Sequence, residues 1–242
     1  MIIAFINQKG GPGKTTSALN TAGYLAARGD SVLLVDANED QGSVTKSWLP
    51  NRIKNDLGQP PFRIAKLDNP AMIHEVMKQA AEFRHVVIDG PPGAAAINRA
   101  VIIAADVVVT PCEPGAFSDD AVDKTIEQIN EARQIKPTQK SVFLVSKKIG
   151  NTVIGRQARE NLAQKPQDMA LPFDMPVLKT EIPILVAYVE AATLGQTIHE
   201  YAPDGQEAKL VTQLAEEILR HAEEGLQEDE AADRAGQSAL AS

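Results

Sequence analysis

The sequence predicts a doubly wound α/β domain in which a mostly parallel sheet is flanked by helices on both faces. Short apolar runs rich in β-branched residues alternate along the chain with longer segments of helical periodicity. The runs are apolar almost throughout, as strands are when a parallel sheet buries both of their faces. The chain has 242 residues, of which 43% are hydrophobic and 23% charged, and this suffices for one large core.

The predicted strands and helices mostly alternate along the chain. The strands cover residues 2–7, 31–36, 62–67, 85–89, 106–111 and 141–146. The helices cover residues 15–28, 71–82, 94–104, 118–134, 153–163 and 205–224. Gly29 and Asp30 follow the first helix and stop it before the second strand. The last helix has an apolar period and is expected to pack on the sheet.

Polar segments mark the predicted loops and the end of the domain. Residues 51–61 and 165–176 are polar and contain several prolines, so both are predicted to be loops. Residues 225–242 are acidic and have no apolar period, which predicts a disordered tail. Residues 1–224 are therefore expected to form a single domain.

Charge and composition exclude several classes of protein. Six of the 32 acidic residues and one of the 24 basic residues lie beyond residue 221, so the rest of the chain carries a net charge of only −3. Nucleic-acid binding would therefore need a local basic patch. No apolar run reaches the roughly 20 residues that cross a bilayer. Cys112 is the only cysteine, which rules out an internal disulfide framework and favours the cytoplasm.

A glycine-rich segment lies between the first strand and the first helix. It reads Lys-Gly-Gly-Pro-Gly-Lys-Thr-Thr from Lys9 to Thr16. Glycines let several backbone N–H groups turn toward phosphate oxygens, and the following helix adds its positive end. Lys14 would reach the β and γ phosphates, and the Thr15 hydroxyl would ligate Mg²⁺. The segment predicts a P-loop, although Gln8 occupies the position of the usual first glycine.

This segment resembles the deviant Walker A signature of the ParA/MinD ATPases, K-G-G-x-G-K-[ST]-T. The resemblance implies a P-loop NTPase fold of that type, with ATP or ADP and Mg²⁺ as cofactors. It also implies that Lys9 crosses a dimer interface to the partner's nucleotide and acts in catalysis together with Lys14. The residues expected to bind the nucleotide are Lys9, Gly10, Gly11, Pro12, Gly13, Lys14, Thr15, Thr16 and Pro203.

Further segments carry the same resemblance over about residues 1 to 221. Val35 and Asp36 end the second strand, where the family has its switch aspartate. The residues from Val87 to Pro92 resemble the Walker B strand and the loop after it, with Asp89 as the Walker B acid. Residues 145–148 resemble a late strand of the family, and residues 195–203 (GQTIHEYAP) resemble a further element that contributes Pro203.

Acidic residues at the strand ends are the remaining candidates for catalysis and metal binding. Thr15, Asp36 and Asp89 are expected to hold Mg²⁺ or its bound water, although Asp89 could merely cap a turn. Asp36 is also a catalytic candidate. The family's second aspartate falls on Asn38 in direct register, whereas a one-residue insertion would bring Asp40 to that place. Both alternatives stay open, because an amide holds water but cannot take its proton.

The predicted function is that of a ParA-type partition ATPase, most similar to the small ParF-like plasmid proteins. The resemblance implies an ATP-dependent homodimer that binds DNA non-specifically, and a ParB/ParG-like centromere-binding or cargo adaptor that stimulates hydrolysis. Such a protein is cytoplasmic and associated with the nucleoid. A MinD-like membrane switch is disfavoured by the acidic tail, and an iron protein by the single cysteine. A nucleotide switch with little hydrolysis and a protein-organelle positioning ATPase remain alternatives.

Basic residues late in the chain are the candidates for DNA contact. They are Lys147, Lys148, Arg156, Arg159 and Lys179, with Lys165 nearby. Arg156 and Arg159 would share one face of a helix, although a merely solvated face is an equal alternative. Relatives of the chromosomal type carry arginines at the positions of Ile184 and Ala187. The apolar residues at these two positions could be core, a dimer contact or a partner surface.

Overall fold

The computed structural model describes residues 1–38, 43–93, 95–115, 120–149 and 152–240. Within these residues a sheet of seven parallel strands has the order β3-β2-β4-β1-β5-β6-β7. The strands are β1 Ile2–Phe5, β2 Val32–Asp36, β3 Arg63–Lys66, β4 His85–Asp89, β5 Val107–Cys112, β6 Lys140–Lys148 and β7 Ile182–Pro183. The predicted doubly wound sheet is confirmed.

Helices cover both faces of this sheet. They are α1 Lys14–Ala27, α2 Leu49–Lys54, α3 Ile73–Ala80, α4 Ala95–Ala104, α5 Asp120–Arg133, α6 Val153–Asp168, α7 Val186–Leu194, α8 Ile198–Tyr201 and α9 Gln206–Leu240. Helices α1, α7, α8 and α9 pack on one face, and α3, α4, α5 and α6 on the other. A π-helix, Ser43–Trp48, leads into α2, and a 3₁₀ turn, Pro70–Met72, leads into α3.

The winding of the chain places the P-loop at the centre of the sheet's carboxyl edge. Strand β1 lies between β4 and β5, and its connection to β2 passes over one face while the connection from β4 to β5 passes over the other. Where neighbouring connections pass over opposite faces of an open α/β sheet, a crevice forms beyond the carboxyl ends of the strands, and ligands bind there. The loop after β1 therefore lies where a ligand is expected.

Two predicted loops turn out to be partly helical. Residues 49–54 form α2, where the polar sequence predicts the start of a loop, and α6 continues to Asp168 past Pro166. Both differences have tertiary causes, because Arg52 and Pro166 are buried against the rest of the chain. Propensity alone does not detect such packing.

The end of the chain also differs from its prediction. Residues 225–240 continue α9, whereas the acidic composition predicts a disordered tail from residue 225. Alanine, glutamate, glutamine and leucine dominate this stretch and favour helix. The helix also keeps contact with the sheet, because Lys140 Nζ lies 2.6 Å from Glu228 Oε1. In the described part of the chain, no helix is both long and apolar enough to cross a membrane.

A buried arginine joins α2 to the turn between α7 and α8. The Arg52 guanidinium donates hydrogen bonds to the carbonyls of Leu57, Gly58, Gln59 and Gly195. It also lies 3.0 Å from Glu200 Oε1 and stacks over the Trp48 ring. Gly195 has φ +77°, and a Cβ placed there would lie 2.1 Å from the Arg52 backbone nitrogen. This approach requires glycine.

Replacing Gly195 with alanine is expected to destabilise the protein by about 3 kcal/mol, through backbone strain and the clash with α2. Gly58→Ala is the matched control, because Gly58 has φ +70° but no atom within 4 Å of its added Cβ. That variant should lose only about 1 kcal/mol. Denaturant unfolding measures both values, and equal losses would contradict the close approach at Gly195.

Candidate functional site

The loop between β1 and α1 is shaped by glycines and tied to neighbouring strands. Gly11 and Gly13 have φ of +94° and +87°, and Gly13 is the N-cap of α1 without a side-chain cap. The first N–H groups of α1 therefore remain available to an anion. Asn7 holds the loop from one side, accepting from the Lys9 N–H at 2.8 Å and donating to the Pro111 carbonyl.

A cavity of about 200 Å³ opens over this loop. It is lined by Gly10, Gly11, Gly13, Lys14, Thr15, Thr16, Asn38, Ser43, Gly90, Pro92 and Lys147. Most of the residues predicted to bind phosphate thus line one space. Pro203 does not line this cavity, since it follows α8 and is exposed to solvent.

Lys14 is buried at the start of α1 and reaches back over the loop. Its Nζ donates to the Lys9 carbonyl at 2.8 Å. Burial lowers the pKa of Lys14 to about 8, and the nearby Asp89 carboxyl opposes this shift. An anion in the cavity would favour the charged ammonium and replace the carbonyl as its partner.

Asp89 ends β4 and meets Thr15 beneath the loop. The Thr15 hydroxyl donates to Asp89 Oδ2 at 2.6 Å, while Asp89 Oδ1 is buried and has no hydrogen-bond partner among the described residues. Burial raises the pKa of Asp89 from its ordinary value of 3.8 to about 7, and the Thr15 hydrogen bond opposes the shift. An unpartnered carboxylate oxygen beside a hydroxyl fits Mg²⁺, which prefers oxygen ligands. Of the three residues predicted to bind metal, Thr15 and Asp89 are thus in direct contact.

Asp36 ends β2 beside Asp89, with which it is paired in the sheet register. Its Oδ2 accepts from the backbone N–H and the hydroxyl of Thr45 at 2.9 and 2.8 Å. Its Oδ1 accepts from the Asn38 N–H. Asp36 thus anchors the segment after β2, a contact that sequence reasoning missed. Asn38 lines the cavity, whereas Asp40, the other candidate, lies outside the described residues.

In apo protein without metal, Asp89→Asn is expected to raise the thermal unfolding temperature at pH 8. A folded pKa above the unfolded value means that wild-type stability falls as the pH rises from about 4 through 7. The amide does not titrate and still accepts from Thr15, so the variant's gain should grow over this range and vanish near pH 4. Unfolding scans in a chelator measure the difference. A gain that is independent of pH would contradict the buried carboxyl.

The predicted DNA-contacting cations differ in their surroundings, although Lys148 and Arg159 share the Glu181 carboxylate. Lys148 Nζ lies 2.5 Å from Glu181 Oε2, and Arg159 donates to the carbonyls of Val177 and Lys179 and pairs with Glu181. Lys147 belongs to the P-loop cavity. Lys165 pairs with Asp123. Arg156 and Lys179 are exposed.

Exposed apolar side chains lie next to the P-loop. Ile184, Val186 and Val189 are 56%, 70% and 65% exposed, and we call these three residues the apolar rim. Ile184 and Val189 line a second cavity, of about 260 Å³, together with Gly13 and Thr16 of the P-loop. Ile184 is therefore not part of the core, whereas Ala187 is half-buried.

Comparisons with known proteins agree with this geometry. The chain is 28% identical to the chromosome-partitioning ATPase Soj of Thermus thermophilus, over 92% of this chain and 96% of that one. It is 38% identical to the maintenance of carboxysome distribution protein A of Gloeobacter kilaueensis, over 52% and 56% of the two chains. Cobyrinic acid a,c-diamide synthase from Mycobacterium smegmatis, solved with an ATP analogue and magnesium, has the same fold. Its TM-score is 0.61 at 22% identity, with 93% and 96% of the chains covered.

The family assignment rests on most of the chain. The profile of the CobQ/CobB/MinD/ParA nucleotide binding domain matches residues 3–198, which include the P-loop, both strand-end aspartates and the segments around the cavity. The resemblance predicted from the P-loop is thereby confirmed at the level of the family. The chain belongs to the CobQ/CobB/MinD/ParA family of nucleotide-binding domains.

Proposed function

We propose that the chain is a ParA-type partition or positioning ATPase. ATP binding would produce a sandwich homodimer that binds duplex DNA without sequence preference. A ParB/ParG-like adaptor would then stimulate slow hydrolysis. The observation that carries this proposal is the P-loop cavity, which Lys14 and Thr15 line at the N-terminus of α1, with Asp89 hydrogen-bonded to Thr15 behind it.

Phosphate binding is the first step. The uncapped N–H groups at the start of α1 and the Lys14 ammonium present positive charge to the cavity. Lys14 would leave the Lys9 carbonyl for a phosphate oxygen, a stronger acceptor because it is charged. The ATP analogue bound by the Mycobacterium smegmatis synthase supports ATP and ADP as the ligands.

Mg²⁺ fits beside the phosphates. Thr15 and Asp89 would hold the ion or its water, because Asp89 Oδ1 is buried without a partner. The bound ion would neutralise the charge that develops on the transferred phosphoryl group. Asp36 would act through Thr45 and the Asn38 backbone, keeping the segment after β2 against the cavity. In this proposal Asp36 positions the segment rather than binding the metal directly.

The attacking water needs only orientation for slow hydrolysis. Phosphoryl transfer depends mainly on positioning and charge stabilisation, so an amide at Asn38 could hold the water without taking its proton. The Asp40 carboxylate is the alternative residue for this role. Because Asn38 lines the cavity, a nucleotide switch with little hydrolysis is the second candidate function. Measuring turnover distinguishes the two.

Dimerisation would bury the apolar rim. Its three side chains are more than half exposed, and Ile184 and Val189 adjoin the P-loop, where the family resemblance places the dimer interface. Removing them from water on association is favourable, by roughly 25 cal/mol per Å² of apolar surface buried. Lys9 would cross the same interface and contact the partner's nucleotide.

DNA binding would follow dimerisation. Arg156 and Lys179 are exposed predicted contacts that do not line the P-loop cavity, and a dimer would double them. Such a protein would be cytoplasmic and associated with the nucleoid. The similarity to Soj supports partition of DNA, and the similarity to the carboxysome distribution protein supports positioning of a protein organelle. A plasmid, a chromosome or an organelle would each need its own adaptor.

Filter binding of unrelated duplexes in ATP and in ADP tests the proposal. Binding should require ATP, ignore sequence and weaken with salt by roughly 0.9 log units per neutralised phosphate for each log unit of salt. An Arg156→Glu/Lys179→Glu variant should lose this binding, whereas Lys78→Glu, on the exposed face of α3, should retain it. Equal weak binding in both nucleotides would contradict DNA binding by an ATP-dependent dimer.

A further inference from the structure

Lys147 has an unusual backbone at the edge of the P-loop. Its φ is +54°, a left-handed conformation that a long side chain rarely adopts. The residue before it is fixed to the loop, because the Ser146 hydroxyl donates to the Pro12 carbonyl at 2.5 Å. Strained backbone of this kind persists where the surrounding structure imposes it, and it occurs often at ligand sites.

The strained backbone places the Lys147 ammonium over the phosphate-binding loop. Nζ lies 3.1 Å from Glu113 Oε1, in the segment that follows β5. A Cβ built on Gly11 would lie 3.9 Å from both of these atoms. The same lysine lines the P-loop cavity. The ion pair therefore lies at the place where a bound polyphosphate would pass.

The ion pair between Lys147 and Glu113 can be replaced by a contact between Lys147 and a phosphate at little cost in free energy. The two side chains are 44% and 31% exposed, and ion pairs in such water-accessible places contribute little stability. A polyphosphate offers Lys147 several charged oxygens in place of one carboxylate. Glu113 would meanwhile repel an incoming anion for as long as it remains beside the loop.

We propose that Lys147 is a second phosphate-binding lysine of this cavity, held by Glu113 until a nucleoside triphosphate displaces the carboxylate. The inference rests on the proposed function, because it concerns the same nucleotide site. It also reassigns Lys147, which the sequence predicts to contact DNA. Lys147 binds the phosphates of the nucleotide in its own subunit, and Glu113 sets how readily it does so.

A titration with a fluorescent ATP analogue tests the inference on the full chain with Mg²⁺. Lys147→Gln should weaken binding by about 10-fold or more, the loss expected for a charged phosphate contact. Glu113→Gln should strengthen binding several-fold. In the double variant, the gain from Glu113→Gln should disappear, because the carboxylate acts through Lys147.

Two controls separate this role from general charge and from misfolding. Lys148→Gln and Glu181→Gln remove the same charges from the neighbouring pair and should leave ATP binding unchanged. Lys147→Gly relieves the left-handed backbone, so it should unfold at a higher temperature than wild type and still bind ATP about 10-fold more weakly. Thermal unfolding of each variant is measured alongside.

The outcomes also distinguish this inference from the proposed function. Normal ATP affinity in Lys147→Gln and Lys147→Gly would overturn the inference alone, as would additive effects of the Lys147 and Glu113 changes. An equal loss of ATP affinity in Lys148→Gln would show that any nearby positive charge favours ATP binding, and it would also overturn the inference. A wild-type chain that binds no ATP would overturn the proposed function and the inference together.

Discussion

Lys14→Ala is expected to weaken ATP binding by roughly 100-fold. The variant removes the buried ammonium that lines the P-loop cavity, and losing a charged phosphate contact costs about 3 kcal/mol, or roughly 100-fold in affinity. The fold should survive, because burial already lowers the pKa of Lys14 to about 8 and its removal relieves that desolvation. Isothermal titration with ATP and Mg²⁺ measures the loss.

Lys78→Ala is the matched control for this experiment. Lys78 lies on the solvent-exposed face of α3, so the variant removes a lysine of equal charge from outside the cavity. Its ATP affinity should equal that of wild type. Binding by Lys14→Ala within a few-fold of wild type would show that the phosphates lie elsewhere.

Lys9→Ala is expected to bind ATP normally and to fail to dimerise. Within the subunit, the backbone of Lys9 makes the contacts that shape the loop, since its carbonyl accepts from Lys14 and its N–H donates to Asn7. Alanine keeps both. The side chain is the part that the family resemblance assigns to the partner's nucleotide, so its loss should weaken the dimer.

Light scattering of wild type and Lys9→Ala in ATP and in ADP measures this effect. Wild type should double its mass in ATP only, and the variant should remain a monomer in both nucleotides while titrating with ATP at wild-type affinity. A Lys9→Ala protein that forms the ATP dimer would remove the bridging role. A variant that loses ATP binding would show that the side chain acts within its own subunit.

The alternation of apolar runs and helices predicts the sheet and its flanking helices because parallel strands are buried on both faces. Their central residues are then apolar, as in His85–Asp89, whose predicted bounds agree with the structure. The P-loop can also be predicted from the sequence, because its glycines and lysines form a local motif within eight consecutive residues. The structure places Thr15, at the start of α1, within a 2.6 Å hydrogen bond of Asp89, at the end of β4.

Other features depend on contacts between distant segments. The sequence predicts that Arg52 is a polar loop residue. In the structure it is buried, and its guanidinium donates to backbone carbonyls that include that of the distant Gly195. Lys147 reads as one of two adjacent surface lysines, and the sequence does not predict its positive φ or its ion pair with Glu113. Thr45, which donates hydrogen bonds to Asp36, lies nine residues further along the chain. It belongs to a π-helix that the hydrophobic periodicity of the sequence does not predict. Each case is decided by tertiary structure.

Steady-state release of phosphate from ATP by the full chain tests most directly whether this protein is an ATPase. The assay uses saturating ATP at pH 8, with Mg²⁺ or with a chelator, in the presence and absence of duplex DNA, and includes Lys14→Ala. We predict slow turnover that requires Mg²⁺ and is absent in Lys14→Ala. A chain that binds ATP but releases no more phosphate than Lys14→Ala, with or without DNA, would contradict an ATPase and establish a nucleotide switch in its place.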